Sequence, residues 1–100
     1  MSLNEIAKRI KDVCVAHGFA WNVDDPKDIA TCLLLIHSEV SEAAEALRDG
    51  KVDELKLELI GVLIRTLHLL SLLDANIDEL LKSEIQRNAE RPYKHGRLYF

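Results

Sequence analysis

The chain has 100 residues, of which 48% are hydrophobic, 30% charged and 5% aromatic, and its formal net charge is −4 at pH 7. This length excludes a multidomain enzyme with a separate cofactor module and predicts one domain over residues 1–100. The acidic balance excludes binding to nucleic acid through overall charge, but it is compatible with a phosphate-bearing small molecule held by a metal.

The hydrophobic pattern predicts an all-α chain, because apolar residues recur at helical spacing and no segment alternates with period two for more than a few residues. Four helices are expected, at about residues 3–17, 26–48, 53–73 and 77–90, followed by a tail over 91–100. Ser2 and Glu5 have the spacing of a capping box that opens the first helix, and Gly18 ends it. Asp25 precedes Pro26 as a cap followed by proline at the first helical position.

The last two helices carry similar signals. Gly50 stops the second helix, and Asp53 is expected to cap the third. Asn76 and Glu79 are spaced as another capping box, which opens the fourth helix. This helix must end before Pro92, because proline breaks a helix interior.

The third helix decides the predicted architecture. Between Leu57 and Leu73 most of its circumference is Leu, Ile or Val, which is typical of a helix buried on nearly all sides. Three other helices can scarcely surround it, so we predict a helical bundle that a second copy completes, as a homodimer or a dimer of dimers. The stretch is short for a membrane span and carries Glu58, Arg65 and His68, so no membrane partner is expected.

The two cysteines indicate a compartment rather than a site. Cys14 and Cys32 form no CxxC pair, and no secretory apolar segment follows Met1. Buried thiols in a reducing environment are the ordinary interpretation, so we expect a cytoplasmic protein.

Glutamates interrupt the apolar face of the second helix. On a helical projection at 100° per residue, Glu39 falls inside the core-facing arc and Glu42 lies about 60° away at its margin, while Glu45 falls on the outward side. Burying an unpaired carboxylate costs several kcal/mol. Glu39 therefore needs a cation, a metal or a raised pKa.

A polar arc about 80° wide runs along the otherwise aliphatic third helix, formed by Glu58, Gly61, Arg65 and His68. It either lines a site or forms an internal ion-pair network in which Glu39 and Glu42 pair with Arg65, and the spacing alone favours neither. Carboxylates from two neighbouring helices suit Mg²⁺, which takes hard oxygen ligands and leaves its other positions to water and substrate phosphates. A di-iron centre is not expected, because no histidine stands at Glu-x-x-His spacing.

Two weaker features have two readings each. Trp21, in a polar loop, either stacks on a base or plugs the end of the bundle. The C-terminal end is basic, with Arg87, Arg91, Lys94, His95 and Arg97, and is either a phosphate clamp or a solvated tail.

Together these residues resemble the MazG-like family of nucleoside triphosphate pyrophosphohydrolases, whose signature is ExxE on one helix and ExxD on the next. Residues 36–43 match the first half closely, and residues 58–65 match the second in register, with Gly61 in place of the Asp. The likeness also reaches Gly18, Phe19, Trp21, Asn88, Arg91, Pro92, Tyr93, His95 and Gly96.

This resemblance implies an oligomeric bundle that cleaves a nucleoside triphosphate (NTP or dNTP) between its α and β phosphates. The products are the monophosphate and pyrophosphate, and the role is house-cleaning of the nucleotide pool. Glu39, Glu42 and Glu58 would be catalytic residues and ligands of Mg²⁺, or of Mn²⁺ in its place. The expected substrate-binding residues are Trp21, Arg65, Asn88, Arg91, Tyr93 and His95.

Gly61 is the main departure from the family pattern. Glycine offers no ligand, and inside a helix it costs about 1 kcal/mol relative to alanine. The missing acid is expected to weaken metal affinity, so Gly61→Asp should raise it. Two alternatives stay open: a non-catalytic helical oligomer that binds nucleotides or a partner protein through the same cleft, and a structural bundle in which Arg65 neutralises Glu39 and Glu58.

Overall fold

A computed structural model describes residues 1–92 of the protein and contains only helices and turns in this range. In chain order the helices are α1 (Leu3–Ala16), α2 (Pro26–Arg48), α3 (Val52–Leu72) and α4 (Ile77–Ala89). The all-α prediction is confirmed, and each helix lies within a residue or two of its predicted bounds. None of the helices in this range is long and apolar enough to cross a membrane.

Helix capping agrees with the sequence at three of the four starts. The side chains of Ser2, Asp25 and Asn76 each accept a backbone hydrogen bond at the start of α1, α2 and α4. The prediction that Asp53 caps α3 is wrong, because the cap position is Lys51, which makes no side-chain cap hydrogen bond. Asp53 lies in the first turn instead, where a negative charge still favours the positive end of the helix dipole.

The short turn over residues 49–51 returns the chain, so that α2 and α3 pack side by side as a hairpin. Gly50 takes a φ of 70° in this turn, a conformation that glycine adopts without strain. α1 also packs against α3, and the buried core of Ala7, Leu67 and Ile77 joins α1, α3 and α4.

The start of α1 is tied to the start of α4. Asp78 accepts hydrogen bonds from the backbone N–H of Leu3 at 3.1 Å and of Asn4 at 3.2 Å. In return, the side chain of Asn4 accepts from the N–H of Ile77 at 2.7 Å and donates to Asn76 at 2.9 Å. These contacts satisfy N–H groups that a helix start otherwise leaves without partners.

Much of the apolar surface of α3 is exposed in the single chain. Ile60 is 50% exposed and Leu63 is 48% exposed. Both lie about 140–160° around the helix from Glu58, so this apolar face is turned away from the polar arc. One chain alone therefore does not bury α3 on nearly all sides.

Candidate functional site

Three glutamates from two helices converge at one place. Glu39, Glu42 and Glu58 each offer a carboxylate oxygen, and these oxygens lie within 4.8 Å of one another. Glu39 and Glu42 are about one turn apart on α2, and Glu58 meets them from α3 because the two helices pack side by side. The Glu39 side chain is only 17% exposed, whereas Glu42 is open to solvent. We call these three residues the glutamate cluster.

Close approach changes the acidity of the cluster. Hydrogen bonds with Glu39 and Glu42, followed by burial and the negative charge of both neighbours, raise the pKa of Glu58 to about 7. Hydrogen bonds from Arg65 and Glu58 lower the pKa of Glu39. Near neutral pH the metal-free cluster therefore contains an ionised Glu39 and a Glu58 that is partly protonated. A bound cation would favour the ionised form of Glu58.

The raised pKa of Glu58 predicts that the metal-free protein loses stability between about pH 4.5 and pH 7. In this window an unfolded carboxyl with a pKa near 4.5 is ionised while the folded one keeps its proton, so the folded state binds more protons and stability falls as the pH rises. Glu58→Gln, which stays neutral, should remove this loss, measured as Tm against pH with a chelator present. Glu45→Gln, on the outward side of α2, is the control, and equal slopes for wild type and Glu58→Gln would contradict the prediction.

Arg65 and Gly61 fix the position of Glu39 against α3. The Nε of Arg65 donates to Oε1 of Glu39 at 3.1 Å, which is the ion pair that the structural alternative expects. A Cβ added at Gly61 would lie 2.6 Å from Oε2 and 3.1 Å from Cδ of Glu39. The expectation for Gly61→Asp changes accordingly, because the new side chain would displace the Glu39 carboxylate rather than simply add a ligand.

A cleft of about 380 Å³ opens beside the glutamate cluster. Among its polar lining residues are Glu39, Arg65 and His68. The remaining side chains of its lining are mainly apolar, and they are Cys14, Phe19, Trp21, Leu35 and Ile64. This volume is at the lower end for ligand pockets, and the cleft joins an aromatic, apolar surface to a carboxylate and a guanidinium.

His68 is a buried polar residue of the same cleft. It is 8% exposed, and within residues 1–92 its Nε2 has no hydrogen-bond partner. Burial, followed by the positive charges of Lys11 and Arg65, lowers the pKa of His68, so the imidazole is neutral at pH 7. The sequence placed His68 on the polar arc, but helical spacing carries no signal of this burial.

The six predicted substrate-binding residues separate into three groups. Trp21 and Arg65 line the cleft. Asn88 is exposed in the last turn of α4, which packs mainly against α1, and Arg91 follows that helix. Neither residue lines the cleft, so one chain does not bring them to the glutamate cluster. Tyr93 and His95 lie outside the described residues.

The donor set of the cluster fits a hard divalent cation. Its three carboxylates are oxygen ligands, and the exposed Glu42 leaves one side open to a hydrated ion and to phosphates. Arg65 adds a guanidinium with donors suited to phosphate oxygens. Comparison with protein-family models, with curated proteins and with solved structures found no match to this chain.

Proposed function

We propose that the chain is a Mg²⁺-dependent nucleoside triphosphate pyrophosphohydrolase of the MazG-like kind, with Mn²⁺ as the alternative ion. The observation that carries this proposal is the approach of three carboxylate oxygens from α2 and α3 to within 4.8 Å of one another. The motif spacing of Glu39, Glu42 and Glu58 supports it independently, because it resembles the family signature. Hydrolysis would yield the nucleoside monophosphate and pyrophosphate.

In this proposal Glu39, Glu42 and Glu58 hold the metal ion. A bound ion would supply positive charge against the phosphates and would help to orient a water toward the α phosphorus. Attack forms the bond from the water oxygen to that phosphorus and breaks its bond to the oxygen that leaves with pyrophosphate. The carboxylate oxygen of Glu58 that is not used on the ion would accept the proton of the water as general base.

The cleft supplies the contacts that orient the nucleotide. Arg65 uses one N–H on Glu39, and within residues 1–92 its remaining donors have no other side-chain partner, so they would be available to phosphate oxygens. Trp21 and Phe19 line the same cleft and present aromatic faces on which a base can stack. A nucleotide in this position has its base against the apolar lining and its phosphates near the glutamate cluster.

The working form in this proposal is a homodimer or a dimer of dimers in the cytoplasm. Within residues 1–92 the single chain leaves a large aliphatic surface exposed. Half-exposed aliphatic residues such as Ile60 and Leu63 on α3 account for part of this surface. A second copy is the partner that would cover them, and free thiols at Cys14 and Cys32 are typical of a reducing compartment.

A second candidate function is a non-catalytic oligomer that binds nucleotides through the same cleft. The ion pair between Arg65 and Glu39 favours it, because one acid of the cluster already has a positive partner. Gly61 favours it as well, since it provides no fourth carboxylate.

One assay separates the candidates. The protein is incubated with canonical and modified dNTPs and NTPs in the presence of Mg²⁺, and pyrophosphate is measured. Release that stops with a chelator supports the enzyme. No release, with a rise in Tm on adding nucleotide, supports the binding oligomer. If there is neither pyrophosphate release nor a rise in Tm, the structural bundle is the alternative that is supported.

A further inference from the structure

Gly61 has no backbone reason to be glycine. It lies inside α3, where glycine is unfavourable because it loses more conformational freedom than other residues. Gly18 and Gly50, by contrast, follow helices at φ values of 87° and 70°, which side chains with a Cβ rarely adopt. A different cause must explain the glycine at position 61.

The Glu39 carboxylate occupies the space that a side chain at position 61 would need. The 2.6 Å between a Cβ built at Gly61 and Oε2 of Glu39 is far below van der Waals contact. The other oxygen, Oε1, accepts from Arg65 one helical turn further along α3. Two features of α3 thus place the carboxylate: the space left by the missing side chain of Gly61 and the hydrogen bond donated by Arg65.

We infer that Gly61 is a positioning residue. Because it has no side chain, the carboxylate of Glu39 can occupy the space beside α3 at this position, which we call the seat, within reach of both Arg65 and Glu58. Any larger residue at 61 would push this carboxylate away from Arg65 and open the glutamate cluster. The seat itself is a steric property of the metal-free chain. Its purpose, to hold Glu39 ready for a divalent cation, rests on the proposed function.

The seat is tested by thermal unfolding with a chelator present. In a Glu39→Ala background, Gly61→Ala should raise Tm by about 4–8 °C, because alanine is the better helix former and nothing opposes its methyl group. With Glu39 or the equally large Glu39→Gln, the rise should be smaller or become a fall. In the control background Glu45→Ala, the effect should equal that in wild type. An equal rise in all backgrounds would overturn the inference.

The positioning role is tested by calorimetric titration of the protein with Mn²⁺ alone. Wild type should bind Mn²⁺, and Gly61→Ala should lose at least about tenfold in affinity, in the direction of Glu39→Gln. Unchanged Mn²⁺ affinity in Gly61→Ala overturns the positioning role even if the unfolding data show the seat. If wild type binds no Mn²⁺, the proposed function and the positioning role both fail, and unfolding alone then decides whether the seat exists.

Discussion

Glu39→Gln should lower the rate of pyrophosphate release at least about a hundredfold. Glu39 is a half-buried acid of the glutamate cluster, with a side chain 17% exposed, and the amide removes its negative charge without changing its size. Substitutions of groups that merely support metal ligands already cost about 10–100-fold in affinity or activity, so the loss of a ligand charge should cost at least the upper end. The measurement is the initial rate at saturating Mg²⁺ and substrate.

A matched control separates this loss from a general effect of removing an acid. Glu45→Gln makes the same chemical change at a solvent-exposed position of α2, six residues after Glu39, and should keep wild-type activity. The Arg65–Glu39 ion pair lost in Glu39→Gln is partly solvent-exposed, so it should cost only about 0–1 kcal/mol of folding stability. An active, folded Glu39→Gln would refute the assigned role.

If the chain forms the proposed homodimer or dimer of dimers, Ile60→Glu should convert it to monomers. Ile60 is 50% exposed in the single chain and lies on the apolar face of α3, away from Glu58. At an interface between copies, an unpaired carboxylate there would cost several kcal/mol, and every 1.4 kcal/mol is tenfold in the dissociation constant. We expect this constant to rise at least about a hundredfold, measured by analytical ultracentrifugation over a range of concentrations.

The control for Ile60→Glu is Lys82→Gln, which makes the same change of one unit in net charge. Lys82 lies on the polar side of α4 and is exposed, so the assembly should not respond. If wild type sediments as a monomer, or if Ile60→Glu leaves the mass and Tm unchanged, no second copy covers this face of α3.

The fold was predictable because its signals are local. The caps at Ser2, Asp25 and Asn76 each depend on a side chain and the backbone of the next few residues. Asp53 was misassigned because an acid near a helix start serves as a cap or as a first-turn residue, and composition cannot distinguish the two. The predicted helix bounds therefore agreed with the structure more closely than the predicted cap residues did.

The site was predictable only as far as helical spacing carries information. Periodicity grouped Glu39 with Glu42 and put Glu58 on the facing helix, and the structure brings the three together. It could not reveal that the Glu39 carboxylate occupies the space a Cβ at position 61 would need, because the register between two helices is set by packing. Gly61 consequently looked like a lost ligand, whereas the structure shows a space that another residue fills.

The cleft was largely invisible to the sequence for a related reason. Cys14, Leu35 and Ile64 follow the apolar pattern of ordinary core residues, and nothing in that pattern separates a cavity wall from a packed interior. Trp21 stood out only because an aromatic residue in a polar loop is uncommon. Its two readings, base contact or plug, both remain compatible with a place on the cleft wall.

The bonds from Asp78 to the start of α1 have a consequence for the order in which the chain acquires its structure during synthesis. The N–H of Leu3 finds its acceptor 75 residues later in the chain. During synthesis α1 therefore leaves the ribosome well before the residue that accepts the hydrogen bonds at its N-terminal start. The hairpin of α2 and α3 needs only a three-residue turn and has low contact order. We therefore expect this hairpin to form the folding nucleus, and α1 to dock last, together with α4.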